Sequence, residues 1–537
     1  MSGAFGQGRQ RGAAYPKPRG YTSGPWSAVL DSLDPSTGGP ALLKDAQNLY
    51  PEQSDIGTAW VTRPGFAALD AAHALGVANH RAAQGYYEFV KLDGTRYRIA
   101  IHYGHFYTYD YGTGLFTEIT VNNGCVIDPN AVHVAMLTMA NTLIVSDGVN
   151  VPSQWDGSTW TPLTAAPVMY GRPWVYYDYL FGIKATERST IVWSAVADPT
   201  IGYEAGGYNN AWTLGQSDTN PLQAGVGLNE LMYVFRSRSI TSILGAPGDS
   251  DFSTQATREG ISETIGTNSP FAIVAFENGI FFIDADARPQ RLRKGYGVDV
   301  SPPAWTGCRV TVANIPNTAL SSAVGVYDIQ SNHIVLPVPN LGETSPSFCL
   351  VFDASNATYS GRWAGFPVTA IGTWTDLSGE PRMVHGGPSD GCPYIHGVTD
   401  SGVYNDGFVA GDAAIEQILE ITPIGYDDKI EKQWDRVDVS LRLATDVSNV
   451  NVSLNTPGGI GATTALSFTG GLAEWDAAIW DSAVWSAASG ESHGVLGVSE
   501  QGRWATVRFQ HAQLDEAIGF IGVAVEAFAL GTYPATP

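Results

Sequence analysis

The chain is patterned in short apolar runs broken by Gly, Asn, Asp and Pro. The pattern is densest between residues 85 and 412. YYEFVKL is followed, after Asp93-Gly94, by TRYRIAIHY; then come GHFYTYDY, a Gly-rich turn at 112–114, and LFTEITV. Alternating runs with turn dipeptides between them predict four hairpin-linked strands. A second such unit reads HVAMLTMA, NTLIVSDG, PSQWDG, STWTPLT. A third opens at RPWVYYDYLFGIK and continues through STIVWSAVADP. Further units begin at GLNELMYVFRSRSITSILG, PFAIVAFENGIFFIDADARPQRLR, SAVGVYDIQSNHIVLPVP and VTAIGTW. The rhythm of about 40–50 residues is that of propeller blades, although no strict signature dipeptide recurs. The expectation for 85–412 is an all-β, β-propeller-like platform of roughly six or seven blades, with a pair of β-sandwiches as the structural alternative.

The flanks read differently. Residues 1–39 are Gly- and Pro-rich with little periodicity and predict an extended N-terminal arm. Residues 40–84 predict N-terminal strands, a turn at Pro64-Gly65 and, in the Ala-rich stretch at 68–84, a short helix weakened by Gly76. Residues 413–537 predict a C-terminal β-sandwich, because Val437, Val439, Leu441 and Leu443 alternate as one buried strand face. The segment GDAAIEQILEI, at the border, could instead join the last blade.

Charge narrows the functional classes. The 537 residues carry 29 Lys+Arg against 52 Asp+Glu, a formal net charge of −23. Nucleic-acid affinity comes from basic contacts that release counterions, so stable DNA binding by the main body is disfavoured. A wall that DNA must slide past has the opposite need, and its acidity would repel phosphate. The plainer reading is that acidity keeps an abundant protein soluble. The arm departs from this balance: Arg9, Arg11, Lys17 and Arg19 stand there with no acid up to residue 20. Such an arm is either a solvated tail or a contact for an acidic neighbour or nucleic acid. Cys125, Cys308, Cys349 and Cys392 form no C-x-x-C pair, which disfavours zinc or redox chemistry and suits assembly in a reducing cytoplasm. Cys349, in FCLVF, reads as a core residue. No secretory signal and no membrane-spanning stretch is expected.

Candidate chemistry is sparse. Nucleophile-elbow, Walker, H-E-x-x-H and EF-hand patterns are absent. His102 and His105 flank a hairpin turn, and His73 and His80 lie in the Ala-rich stretch; surface positions are the plainer reading than metal ligation. Asp284 and Asp286 could bridge a divalent ion, but a solvated turn after GIFFI explains them more simply. SQWDGSTW (153–160) approaches the Asp-box of sialidase-like propellers, with Asp156 one place late; a hairpin turning at Asp156-Gly157, its two Trp covering the blade edge, fits better. Trp475, Trp480 and Trp485 recur at an odd spacing that no single strand face can hold. They predict a loop tucked against the sandwich, with sugar stacking as the alternative. No catalytic, cofactor-binding or metal-binding residue is assigned, no cofactor is expected, and the chain reads as non-enzymatic.

Four stretches together carry a resemblance. ALLKDAQNLYPE…VTRPGFAAL (41–69), NTLIVSDGVNVPSQWDGSTW (141–160), YDYLFGIKATERSTIVWSAVADP (177–199) and AEWDAAIWDSAVW with GRWATVRF (473–485, 502–509) stand in the order and style of the nozzle or tail accessory proteins of short-tailed bacteriophages, also called packaged-DNA stabilisation proteins. The chain resembles that family over most of residues 40–530. The resemblance implies a propeller platform in a ring, commonly of six copies (a homo-hexamer), below the head-to-tail adaptor or portal. It implies a virion tail protein, assembled in the host cytoplasm, that retains packaged DNA and forms the channel for its ejection. Partners would be other copies of itself, the adaptor or portal, and tail fibre, tailspike or needle proteins. Double-stranded DNA would pass through the lumen without specific binding, and no membrane insertion is implied. A carbohydrate-binding or carbohydrate-cleaving propeller of a phage tail or cell surface is the alternative, which needs a convergent carboxylate cluster. A bacterial envelope propeller is disfavoured by the missing signal.

Overall fold

The computed structural model describes residues 19–23, 28–29, 42–54, 57–69, 82–468 and 491–532, apart from gaps at 216–218, 229, 248–251, 253–255, 278, 294–297, 300–307, 356–357, 389–391, 398–404, 409–410, 422, 425–429, 444–446, 514–515 and 517.

Hairpin pairing builds the blades in chain order. Blade 1 is Ala83–Val90, Arg96–His102, His105–Asp110 and Leu115–Ile119, each strand antiparallel to the next. Blade 2 spans 135–162, blade 3 spans 169–202 with Ala211–Thr213 added, blade 4 spans 222–262, blade 5 spans 274–299, blade 6 spans 326–363 and blade 7 spans 370–396. The platform is therefore a seven-bladed β-propeller. Middle strands such as Gly279–Ile283 and His333–Val338 are buried at every position. A blade packs neighbours on both faces, so the strict apolar/polar alternation of a half-exposed strand is lost there.

Each contact between adjacent blades is filled by an apolar cluster, that of blades 5 and 6 running on into the sandwich core. Phe89, Ile99 and Phe106 of blade 1 meet Leu143, Trp155 and Trp160 of blade 2. Phe181 and Trp193 of blade 3 pack with Met232 and Ile243 of blade 4. Tyr86 and Tyr107 of blade 1 meet Trp374 and Val384 of blade 7, which closes the ring. Four further clusters serve the remaining interfaces. The inner strands converge on the axis, where side chains must be small. At Gly225 a Cβ would collide with the indole of Trp174 across the blade 3–blade 4 interface. Gly225→Ala is expected to cost about 1–3 kcal/mol through overpacking, read as a lower urea midpoint.

Closure uses the start of the chain. Phe66–Ala68 is the fourth strand of blade 7, antiparallel to Pro393–His396, and Asn405–Phe408 runs parallel beside it. Gly411–Ala414 pairs back on Asn405–Phe408, while Gln417–Ile421 crosses to the sandwich, so the border segment GDAAIEQILEI is divided between the two bodies.

The C-terminal module is a two-sheet sandwich. One sheet orders Leu49–Ser54, Gly57–Thr62, Ile518–Thr532, Ile430–Leu443 and Glu491–Gly502, and Arg19–Ser23 of the arm also pairs with Ile518–Thr532. The other runs on from the outer edge of blade 6: Tyr359–Trp363, Leu42–Gln47, Gln417–Ile421, Thr506–His511, Val447–Thr456 and Gly459–Phe468. Trp434, Val437, Val439 and Leu441 of the first sheet share one core with Leu419, Val452, Leu454 and Phe509 of the second. The segment expected as a unit at 40–84 is thus divided, its first strands lying in the sandwich and its last in blade 7. Of the stretch 68–84 expected to hold a short helix, Ala68 ends one strand and Ala83 opens another, while residues 70–81 lie outside the described residues, as do His73, His80, Trp475, Trp480 and Trp485. Among the described residues no helix is long and apolar enough to cross a membrane.

Candidate functional site

Seven inner strands leave an axial channel. Two adjoining cavities of ≈ 310 and ≈ 530 Å³ share Tyr87, Arg172, Gly325, Val326 and Thr373 in their walls. The larger volume holds on the order of ten to twenty waters. A duplex, whose major groove alone is about 12 Å wide, cannot thread it. A DNA lumen in this protein would have to be enclosed by several copies, with its acidic wall on their outer surfaces.

The charges in the channel are few and local. Glu88 accepts from Thr375 Oγ1 at 2.6 Å and from Arg96 Nη1 at 3.2 Å, so its carboxylate is held at the blade 1–blade 7 seam. His133 packs 4.7 Å from the ring of Phe271, and burial holds its imidazole down to about 4 against backbone hydrogen bonding at Ser322, Ser321 and Thr369. The Tyr87 hydroxyl lies 3.0 Å from Thr138 Oγ1 and accepts from the Thr138 N–H at 3.1 Å. Arg172 is the remaining ionised group. Its sequence signal was the Gly171-Arg172-Pro173 run inside a strand, since a strand Pro marks a bulge.

Acids elsewhere in the propeller work as turn caps. Asp110, Asp147, Asp156, Asp328, Asp353 and Asp376 each accept a backbone N–H two residues on. A carboxylate that mimics the turn's carbonyl explains why Asp recurs at the hairpins. At these six hairpins the negative charge is spent in local geometry.

The residues singled out from sequence do not converge. His102 and His105 pair across their hairpin, but only His105 is at the surface, 2.8 Å from Glu118. His102 is fully buried, with Nε2 2.9 Å from the Tyr86 hydroxyl, because alternation turns it into the blade 1–blade 7 interface. That corrects the surface reading for His102. Asp284 is buried, not solvated. It accepts from the N–H groups of Asp286 and Arg288 and from Gln290 Nε2, while burial raises its carboxyl above the usual range. Asp286 is exposed beside Arg288. Asp156 closes the SQWDGSTW hairpin by accepting from the N–H groups of Ser158 and Thr159, and Trp155 and Trp160 face each other at 6.2 Å beneath it. All four cysteines are buried, none of them in a disulfide, and burial pushes the Cys349 thiol up to about 12. Among the described residues no group of three His, Cys, Asp or Glu could hold a metal ion.

Sequence reading missed the lock at the closure. Arg63 is fully buried and forks onto Asp406, Nη1 to Oδ1 at 2.8 Å and Nη2 to Oδ2 at 2.5 Å. Its Nε donates to Asn48 Oδ1 at 3.0 Å, and Asn48 in turn holds the carbonyl of Glu416 and the N–H of Ala364. The guanidinium lies 4.7 Å from the Phe366 ring centroid. Beside it, His385 Nδ1 and His396 Nε2 lie 2.8 Å apart, and burial holds both imidazoles well below their ordinary value. Nothing local announces this set: its members are joined only by the return of the chain to blade 7.

The fold and axis define a seven-bladed propeller welded to a β-sandwich. No family model matches the chain, and no curated protein matches it. Among solved structures it is similar to the WD40 domain of Pan2 from Neurospora crassa, at 10% identity over 63% of this chain and 94% of that one, with a TM-score of 0.35. It is also similar to YCF48 from Cyanidioschyzon merolae, at 13% identity over 60% of this chain and 97% of that one, with a TM-score of 0.37.

Proposed function

We propose that the chain is a structural ring component of a bacteriophage tail, of the nozzle kind, below the head-to-tail adaptor, where it retains packaged DNA and encloses the path of its ejection. The observation that carries this reading is the continuous ten-stranded sheet that joins blade 6 to the sandwich. The junction is one parallel bridge, Gln47 to Arg362, reinforced by the Asn48 N–H on the Arg362 carbonyl at 2.7 Å, and a backbone tie of this kind suits a wall better than a hinged enzyme. The family resemblance of the sequence agrees with it. Strands alternate direction within a blade, so every turn from a first to a second strand lies at one end of the propeller. At that end Leu92 (blade 1), Tyr177 (blade 3), Ile329 (blade 6) and Leu377 (blade 7) are exposed, Leu92 at 91% and Leu377 at 76%. Apolar tips around a channel mouth suit docking onto another protein ring. The expected partners are other copies of the chain, commonly six in all, the adaptor or portal, and fibre or needle proteins.

Negative-stain imaging of the purified chain and of particles containing it tests the reading. A ring with a lumen wider than a duplex is expected. A lone monomer attached to the assembled particle would sink it.

A further inference from the structure

The inner strand of blade 3, Met169–Tyr176, does not run evenly along the axis. Its pairing with Tyr179–Lys184 slips between Tyr170 and Trp174, leaving Gly171, Arg172 and Pro173 as a bulge. Gly171 has φ +67, and a Cβ there would press on the carbonyl oxygen of Gln223, 2.7 Å away. Pro173 has no N–H to miss a ladder partner. A bulge of this kind re-aims one side chain out of the regular alternation. The side chain it re-aims is Arg172, which enters the walls of both axial cavities and reaches Ile273, just before the first strand of blade 5, Nη1 to the carbonyl oxygen at 3.4 Å.

The guanidinium is ringed by seven strands yet remains exposed to the channel. Among the described residues no carboxylate pairs with it. Glu88, the acid that shares the channel wall, is engaged by Thr375, Arg96 and Arg98. Arg236, buried with the carbonyls of Asn220 and Leu214 for partners, is a second arginine without a carboxylate among the described residues; Arg172 differs in opening onto a cavity large enough for an ion. Crowding by the surrounding inner strands lowers the group from the usual arginine value, although its surface stays open to the channel. A guanidinium that faces only channel water gains a charge-assisted partner when an anion enters.

We propose that the propeller axis is a binding site for a small tetrahedral oxyanion of the phosphate class, held by the fork of Arg172, with Tyr87 and Thr373 lining the same space. The guanidinium presents parallel N–H donors that match two oxygens of one phosphate, and the channel is wide enough for the ion with its waters. A phosphate there would tie blade 3 to the opposite wall and act as a removable axle pin. The proposal does not depend on the chain forming a phage ring.

Calorimetric titration of the full chain with inorganic phosphate at constant ionic strength tests it. Saturable binding of one phosphate per chain is expected, with an affinity roughly tenfold or more weaker in Arg172→Gln, because a charge-assisted pair is lost. Arg172→Lys keeps the charge but loses the fork and is expected to fall between the two; it also serves if the Gln variant does not fold. Arg436→Gln, on the sandwich surface, is expected to bind as the wild type does. Absence of saturable phosphate binding in the wild type overturns the site. So does an Arg172→Gln or Arg172→Lys chain that binds as tightly as wild type. Acetate binding as strongly as phosphate would overturn the phosphate assignment.

Discussion

Asp406→Ala is expected to lower the stability of the protein by about 3–5 kcal/mol, the cost of leaving a buried guanidinium without its anion. Arg63 has no exposed surface, and after the change its donors would keep only Asn48 and the carbonyl of Pro64. The neighbouring imidazoles offer no negative charge. The effect should be focused at the closure, because Asp406 sits on the strand beside Phe66–Ala68 and Asn48 ties in both Ala364 and Glu416. Urea unfolding gives the magnitude. Hydrogen exchange gives the place: the amides of 66–68 and 393–396 should lose protection before those of blades 2 to 4. The double variant Arg63→Met, Asp406→Leu should cost less than the sum of the single changes, since no lone charge remains. A single Asp406→Ala change within about 1 kcal/mol of wild type would show that the lock does not hold the ring.

Acid should unfold the protein well before its carboxylates protonate. Burial depresses His133 to about 4, and it lowers His333, His385, His396 and His511 in the same direction. An unfolded histidine titrates near 6.5. Below that value the unfolded chain binds protons that the folded chain refuses. The stabilisation from these groups is therefore complete above about pH 6.5 and is lost as pH falls toward the folded values. Each group loses about 1.4 kcal/mol per pH unit in that window, so His133, His385 and His396 together should remove roughly 6 kcal/mol by pH 5. Two effects oppose this. Asp284, raised by burial, gains protons on folding in acid. The net charge of −23 also shrinks toward zero at the pI of about 4.7, relieving repulsion. A falling melting temperature between pH 7.5 and 5 would thus have to come from the histidines. His133→Gln should flatten the slope by close to one proton. A melting temperature that stays level down to pH 5 would refute the assignment.

Much of the architecture was legible from local chemistry. A turn dipeptide ends a strand whether or not its neighbours are known, so the four-strand rhythm and the blade spacing were visible in 85–412. The hairpin at Asp156-Gly157 and the buried face of Val437, Val439 and Leu441 are local for the same reason: period and turn residue act over a few positions. The seven-fold count, the joining of blade 6 to the sandwich, and the placement of Phe66–Ala68 in blade 7 were not. They depend on pairings across hundreds of residues, such as Arg63 with Asp406, that no local pattern encodes. His102 and Asp284 show the same limit at single residues. Each looked like a turn or surface group, and each is buried because a blade packs on both faces. Arg172 needed both levels: Gly171 and Pro173 mark a bulge by their chemistry, but only the ring of inner strands decides that the side chain it releases meets the axis.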